Sequence, residues 1–337
     1  MKVCMVTGLN KLKRYINFKN AGGMGTQVPL LSQKLRERGI EVSIDDPTNC
    51  DIIHLHNPMP NFLPLIKKAK RNGVKVVIHA RHLPELVKGG FMFDSIIYPL
   101  FELYSRYFYN LADAVVCATP YVKNWMEKNG VKVKLYVIPN GVDCSLFKPS
   151  TDMRNAFRHK YGLEDEFVIL SVGLMIPRKG VHDFLKVAKR CSDKKFVWVG
   201  STEKTLKSVK IEPPDNFINI PYVPFEEMPS VYNGGDVFFF PTYAESYGNV
   251  LFEAMACKKP PVIRDIPVYK EWFKDGENCI KGKTTEDFAR AIEKLSTDSE
   301  LRKKISNNAY STAKLHDISN TIDALIKMYE ALLSNAE

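Results

Sequence analysis

The sequence predicts an α/β protein of two domains, each a parallel sheet with crossover helices, and three observations carry that prediction. Short apolar runs without charge, such as Val3-Cys4-Met5-Val6, Val76-Val77-Ile78 and Val168-Ile169-Leu170, read as strands covered on both faces. These runs alternate with amphipathic stretches along almost the whole chain, which is the rhythm of parallel strands joined by crossover helices. The rhythm breaks once, near residues 139–150, and the length of 337 residues suits two domains of roughly 150 each.

In the first half, Val3–Thr7 reads as a strand and Pro29–Arg38 as a helix that Gly39 ends. Strands follow at Glu41–Ile44 and Asp51–Leu55, then a basic helix at Phe62–Arg71 stopped by Gly73. Val74–His79, Asp113–Cys117 and Leu135–Ile138 complete the strands of this half. Turn residues then dominate, in Pro139-Asn140-Gly141-Val142-Asp143 and Phe147-Lys148-Pro149. The second half opens with a strand at Phe167–Gly173 and the turn Pro177-Arg178-Lys179-Gly180, before a helix at His182–Arg190. Strands are read at Phe196–Gly200, Phe217–Ile220, Val237–Pro241 and Pro261–Arg264, with a helix at Asn249–Cys257. From Thr285 onward the chain reads as mostly helical, and no repeat of solenoid period occurs.

Hydrophobic residues at 45% and charged residues at 26% are ordinary globular values, which excludes disordered, collagenous and coiled-coil chains. No apolar stretch reaches the ~18 uncharged residues that a bilayer span requires, and the amino terminus does not read as a signal peptide, so the expected location is cytoplasmic. Seven cysteines without a C-x-x-C pair predict reduced thiols rather than a disulfide framework or a zinc site. The net charge of +10 attracts nucleic acid, anionic lipid or phosphorylated small molecules. Nucleic acid is not expected, because no recognised binding signature is present and the cations are dispersed.

Four constellations are candidates for chemistry. Gly22-Gly23-Met24-Gly25, between the first strand and its helix, lets backbone approach a ligand, although the spacing equally suits a plain glycine turn. Arg178 and Lys179, in the turn after a parallel strand, combine a planar fork with a point charge as a diphosphate requires, or form a solvated basic turn. Glu245 and Glu253 frame Ser246, Tyr247, Gly248 and Asn249 at a helix start, an arrangement for a ligand with hydroxyls and phosphate or simply acids near a positive helix end. Finally His54, His56, His79 and His82, with Arg81, cluster at two strand ends; no H-x-x-x-H or cysteine companion accompanies them, so no metal is expected.

Taken in order, the Gly22–Gly25 loop, Asp51-Ile52-Ile53-His54-Leu55-His56, Ala112-Asp113-Ala114-Val115-Val116, Val137-Ile138-Pro139-Asn140-Gly141-Val142-Asp143, Arg178-Lys179-Gly180 and the E-x7-E element Glu245–Glu253 resemble the retaining glycosyltransferases of family 4. The resemblance implies the GT-B fold, two Rossmann-like α/β/α domains facing a cleft. An acceptor domain would span residues 1–145, with a helix near 318–337 packing back on it, and a nucleotide-sugar domain 146–317. His79-Ala80-Arg81-His82-Leu83-Pro84-Glu85 and Arg264-Asp265-Ile266-Pro267 are similar to the diacylglycerol glucosyltransferases of that family.

By this resemblance Arg178 and Lys179 hold the donor diphosphate, Glu253 the ribose hydroxyls, and Glu245 with Ser246, Tyr247, Gly248 and Asn249 the donor sugar. Gly23, Gly25, Gly173 and Val223 line the donor site. The family's active-site histidine falls at His79 or His82, and a gapless match puts Arg81 there. The implied reaction moves a hexose from UDP-glucose to a membrane lipid with no cofactor or metal. A GDP- or UDP-sugar enzyme acting on a soluble or polyprenyl-linked oligosaccharide is the alternative. Lys67, Lys68, Lys70 and Arg71 on a basic amphipathic helix, with Phe91 and Phe93 opening an aromatic one, are candidates for contact with an anionic inner membrane surface, or for a solvated face and a core helix.

Overall fold

The computed structural model describes residues 1–8, 24–81, 94–201 and 212–334, with the backbone alone at 24 and 94–98. The chain forms two compact units, Met1–Gly141 with Ile318–Glu337, and Val142–Asp317. Each unit is built on one six-stranded sheet in which every pairing is parallel.

In the N-terminal unit the strands are β1 (Lys2–Val6), β2 (Glu41–Ile44), β3 (Ile52–Leu55), β4 (Lys75–Ala80), β5 (Ala114–Cys117) and β6 (Lys134–Val137), in spatial order β2-β1-β3-β4-β5-β6. Four helices, α1 (Met24–Glu37), α2 (Leu63–Arg71), α3 (Asp94–Tyr109) and α4 (Pro120–Lys128), connect them. The uncharged runs of β1, β3, β4 and β5 are buried because both faces are covered. One face packs Val6, Leu55 and Ile78 under Ile66 of α2, Phe108 of α3 and Met126 of α4.

The other face packs Met5, Ile52 and Val77 under Val28, Leu31 and Leu35 of α1. It is completed by Ile322, Leu325 and Tyr329, which lie on the last helix of the chain, spanning Ile318–Ser334. α1 begins at Met24 rather than at Pro29, where the sequence reading starts it. Pro29 forfeits one intrahelical bond near the start, while burial of Val28, Leu31 and Leu35 keeps that turn helical. Gly25 is therefore the second residue of a helix, not part of the loop before it.

The C-terminal unit opens with α5 (Thr151–Tyr161), whose start is capped by the Ser150 hydroxyl and whose end is Gly162 in the left-handed region. Its strands are β7 (Val168–Val172), β8 (Lys195–Ser201), β9 (Phe217–Pro221), β10 (Val237–Phe240), β11 (Pro261–Arg264) and β12 (Ile280–Gly282), in order β12-β11-β10-β7-β8-β9. The remaining helices are α6 (Val181–Arg190), α7 (Met228–Gly234), α8 (Asn249–Ala256), α9 (Thr285–Thr297), α10 (Ser299–Leu315) and, back in the N-terminal unit, α11 (Ile318–Ser334). A capping box between Thr284 and Asp287 starts α9.

Cys4 and Cys50 are joined by a disulfide with their Cα atoms 5.9 Å apart, which corrects the expectation that every cysteine is reduced. The cause is topological: β1 pairs with β3, so a residue in β1 and one entering β3 become neighbours despite a sequence separation of 46. Cys117, Cys144, Cys191, Cys257 and Cys279 are free and buried. Among the described residues no helix is long and apolar enough to cross a membrane.

Phe184 of α6 is the hub of the C-terminal core. Its ring meets Trp198 edge-on at 5.1 Å, Phe196 at 5.4 Å and stacks on Phe239 at 5.6 Å. Phe184→Ala is expected to lower stability by about 3–5 kcal/mol, read from its denaturation midpoint. A loss below about 1 kcal/mol would show that the neighbouring rings close the cavity.

Candidate functional site

A parallel sheet whose strand order reverses leaves a crevice at the carboxyl ends of the two strands flanking the reversal. In the C-terminal unit the chain runs outward through β7, β8 and β9, then returns to place β10 on the other side of β7. The turns leaving β7 and β10 carry Arg178, Lys179 and Glu245, and the structure brings these three together. Lys179 Nζ lies 2.5 Å from Glu245 Oε1, and Arg178 Nη1 lies 3.7 Å from the same oxygen. Arg178 Nη1 also donates to the Ala244 carbonyl at 2.8 Å. Two cations around one carboxylate leave an excess positive charge, which is a site for an anion.

The turn itself is fixed by backbone. Pro177–Lys179 make one 3-10 turn and Gly180, at φ 76°, leads into α6. The Tyr243 N–H donates to the Arg178 carbonyl at 2.8 Å. A Cβ at position 180 would fall on the carbonyl oxygen of Pro241, deep inside van der Waals contact. Glycine is required there because two strand-end turns touch backbone to backbone.

A second tier of side chains braces this contact, and sequence reading missed it. Arg264 pairs with Asp183, donates from Nε to the Pro241 carbonyl at 3.0 Å and stacks 3.8 Å over the Tyr243 ring. Tyr243 in turn donates to Asp183 at 2.6 Å. No spacing in the sequence marks these residues, since they come from α6, the turn after β10, and β11.

Glu253 sits in the second turn of α8. The Tyr232 hydroxyl donates to Glu253 Oε2 at 2.6 Å, and desolvation nevertheless pushes the carboxyl up to about 7. Gly248 caps α8 at φ 92°, and a Cβ there would meet the Tyr269 hydroxyl at 2.8 Å. That hydroxyl is buried without a hydrogen-bond partner and lies in the field of Glu245 and Arg178. An orphaned polar atom at this place is what a bound ligand would satisfy, and Tyr269 is a further residue that the sequence did not reveal. Tyr247 is buried, stacking on Phe252 at 4.5 Å with its hydroxyl 3.1 Å from His316 Nδ1. Gly173 ends β7 at φ 142°, its carbonyl held by the Trp198 indole at 2.8 Å. Ser246, Asn249 and Val223 are partly exposed.

The N-terminal unit repeats the pattern. Its chain leaves β1 for β2 and returns to β3 on the opposite side, so the reversal lies between β1 and β3. His54 is opposite Val77 in β4, and the alternation of the pleat places His54, His56 and His79 on one face. The rings lie 4.5 to 5.6 Å apart. Burial is the main cause that holds all three imidazoles low, His54 at about 3, with the charge of Arg81 adding to it. Arg81 donates from Nε to His56 Nδ1 at 3.2 Å, and its guanidinium is lowered by desolvation to about 10. His79 Nε2 lies 3.2 Å from Asn140 Oδ1, and His54 Nδ1 lies 2.6 Å from the Tyr329 hydroxyl. Gly22, Gly23, His82, Phe91 and Phe93 lie outside the described residues. Lys67, Lys68, Lys70 and Arg71 are exposed.

Two units, each built on a parallel sheet that reverses its strand order once, have the architecture of a GT-B glycosyltransferase. The glycosyltransferase family 4 model matches residues 44–146 and the glycosyl transferases group 1 model matches residues 153–312. The chain thus carries a glycosyltransferase family 4 domain followed by a glycosyl transferases group 1 domain. It is 29% identical over 319 residues to the processive diacylglycerol alpha-glucosyltransferase of Acholeplasma laidlawii, covering 92% of this chain and 94% of that relative. It is 24% identical to the alpha-galactosylglucosyldiacylglycerol synthase of Streptococcus pneumoniae, over 92% of this chain and 85% of that one. In fold it is similar to the sucrose-phosphate synthase of Thermosynechococcus elongatus, with a TM-score of 0.84 at 15% identity over 99% of this chain and 100% of that one. Anabaena HepE in complex with UDP-glucose gives a TM-score of 0.77 at 16% identity over 98% of this chain and 100% of that one.

Two outcomes follow from the site. Gly180→Ala is expected to abolish transfer while the far-ultraviolet circular dichroism of the fold is retained, because the clash lies in one turn; an active variant would show that this turn does not shape the site. Glu253 holds its proton more tightly in the folded chain than in the unfolded one, so its contribution lowers stability as pH rises from 4.5 to about 7. Glu253→Gln should therefore gain stability relative to the parent across that window in thermal melts, and a pH-independent difference would refute the raised carboxyl.

Proposed function

We propose that the chain transfers glucose, with retention of configuration, from UDP-glucose to a diacylglycerol-type lipid at an anionic membrane surface. The observation that carries this reading is the Arg178, Lys179 and Glu245 constellation at the strand-order reversal, supported by relatives named for diacylglycerol glucosyltransfer. Arg178 and Lys179 hold the diphosphate and stabilise the negative charge that develops as it leaves. With two fixed cations at that position, the departure of the diphosphate requires no metal ion. Glu253 accepts from the ribose hydroxyls, Tyr232 orienting it. Glu245, with Ser246 and the backbone of Tyr247, Gly248 and Asn249, holds the sugar, and Tyr269 donates its free hydroxyl to the same ligand. By the family resemblance Gly23, Gly25, Gly173 and Val223 allow close approach of the donor, and the active-site histidine is His79 or His82.

Support for the membrane comes from the two helices of one layer. Lys67, Lys68, Lys70 and Arg71 of α2 are exposed, although three of them also suit the negative carboxyl end of their own helix. On α3, Leu100, Leu103 and Tyr107 are exposed at 66%, 55% and 52%, an apolar stripe at helical spacing. Basic and apolar groups in one layer match an anionic interface, at about 1 kcal/mol per cation. The protein then works peripherally at the inner face of the cell membrane.

UDP is expected to raise the melting temperature more than GDP or ADP, by a stabilisation of about 2.7 kcal/mol at a hundredfold excess over Kd. The shift should disappear in the Arg178→Ala, Lys179→Ala double variant and survive a chelator. Co-sedimentation with phosphatidylglycerol vesicles should be lost when Lys67, Lys68, Lys70 and Arg71 become glutamine. A GDP preference with transfer to free oligosaccharide would replace this reading with the soluble-acceptor one.

A further inference from the structure

One nitrogen from each of His54, His56 and His79 lies within 4.8 Å of one nitrogen from each of the others, all three rings buried, which is the proximity of a metal site. The hydrogen bonds decide otherwise. Arg81 only donates, so His56 Nδ1 must carry the lone pair, and the ring proton of neutral His56 then sits on Nε2. That nitrogen cannot ligate a cation, and two remaining imidazoles beside a buried guanidinium make a poor metal set.

The groups that remain describe a different ligand. His56 Nε2 and Arg81 Nη2 are buried donors without partners. His79 donates from Nε2 to Asn140 Oδ1, so its unpartnered Nδ1 is an acceptor. His54 Nε2 is also unpartnered, and takes either role according to the direction of its bond with Tyr329. Arg81 forms no ion pair among the described residues, and a buried cation without a counter-ion is costly.

We propose that His56, Arg81 and His79 form a binding site for a phosphate monoester that carries one proton. Arg81 Nη2 and His56 Nε2 donate to two phosphate oxygens, and the single P–OH donates to His79 Nδ1, so every orphaned atom of these three side chains is satisfied. The charge of Arg81 is balanced by the ligand's own. The site lies within the N-terminal unit, and the assignment stands or falls independently of which nucleotide the other unit binds. Its groups set its pH dependence. His54, His56 and His79 stay neutral, Arg81 stays charged and Tyr329 stays protonated across the working range, so the titrating partner is the phosphate, whose second ionisation falls near pH 6.

The test is calorimetric titration of the full chain with inorganic phosphate. Binding of inorganic phosphate, whose second ionisation lies about one pH unit above an ester's, is expected to weaken about fivefold or more between about pH 6 and about pH 8 as the ligand loses its proton. Sulfate, which has no proton to give at either pH, should bind more weakly than phosphate. Arg81→Gln should lose about tenfold or more in phosphate affinity, the effect of removing a charge-assisted hydrogen bond, while keeping UDP binding as evidence that it folds. Nitrogen-15 spectra of the unaltered protein should show the His56 proton on Nε2, a reading that does not depend on any variant folding. Competition by glycerol 3-phosphate or by phosphatidic acid in phosphatidylcholine vesicles then distinguishes a soluble from a lipid phosphate. The proposal is overturned by absent phosphate binding, by affinity that rises with pH, by undiminished binding in Arg81→Gln, by a His56 proton on Nδ1, or by stoichiometric zinc binding that His56→Gln removes.

Discussion

Parallel pairing in both sheets sends every strand's carboxyl end to one edge, and each sheet then reverses its strand order once. Between β7 and β10, and between β1 and β3, the helices that follow adjacent strands depart to opposite faces. The strand ends and turns that border these reversals are where Arg178, Lys179 and Glu245 meet in one unit and His54, His56 and His79 in the other. The rest of each unit, from the apolar strands to the aromatic packing around Phe184, holds those turns at fixed separation.

The two crevices have different electrostatics for a physical reason. In the C-terminal unit the cations are partly exposed and countered by Glu245 at 2.5 Å, so the site stays charged and open to an anion. In the N-terminal unit burial suppresses the charge of three imidazoles, leaving Arg81, among the described residues, as a cation beside neutral hydrogen-bonding groups. One crevice recognises charge and the other a pattern of donors and acceptors. Glu253 lies between these extremes, a carboxyl that desolvation pushes up to about 7.

Rigidity in the C-terminal site comes from contacts between turns rather than from regular structure. Gly180 against Pro241, Tyr243 against the Arg178 carbonyl, and Arg264 locked by Asp183 and the Tyr243 ring tie α6, β10 and β11 into one support.

Local pattern alone determined most strands of both sheets, the break near residue 140 and the place of Arg178, Lys179 and Glu245 in turns after strands, because apolar runs and turn residues report burial and backbone geometry directly. The clustering of His54, His56 and His79 at strand ends was likewise legible, since the apolar runs that precede them mark the strands. Tertiary structure decided what depends on elements far apart in the chain. It joined Cys4 to Cys50 through strand pairing, and it moved the start of α1 to Met24 through packing that outweighed Pro29. It also brought Tyr269, Tyr232 and the Asp183–Arg264 brace to the site from separate elements. The protonation pattern of the histidines belongs to this second group, for Arg81, Asn140 and Tyr329 reach them from three different parts of the chain, and a hydrogen bond has no signature in sequence spacing.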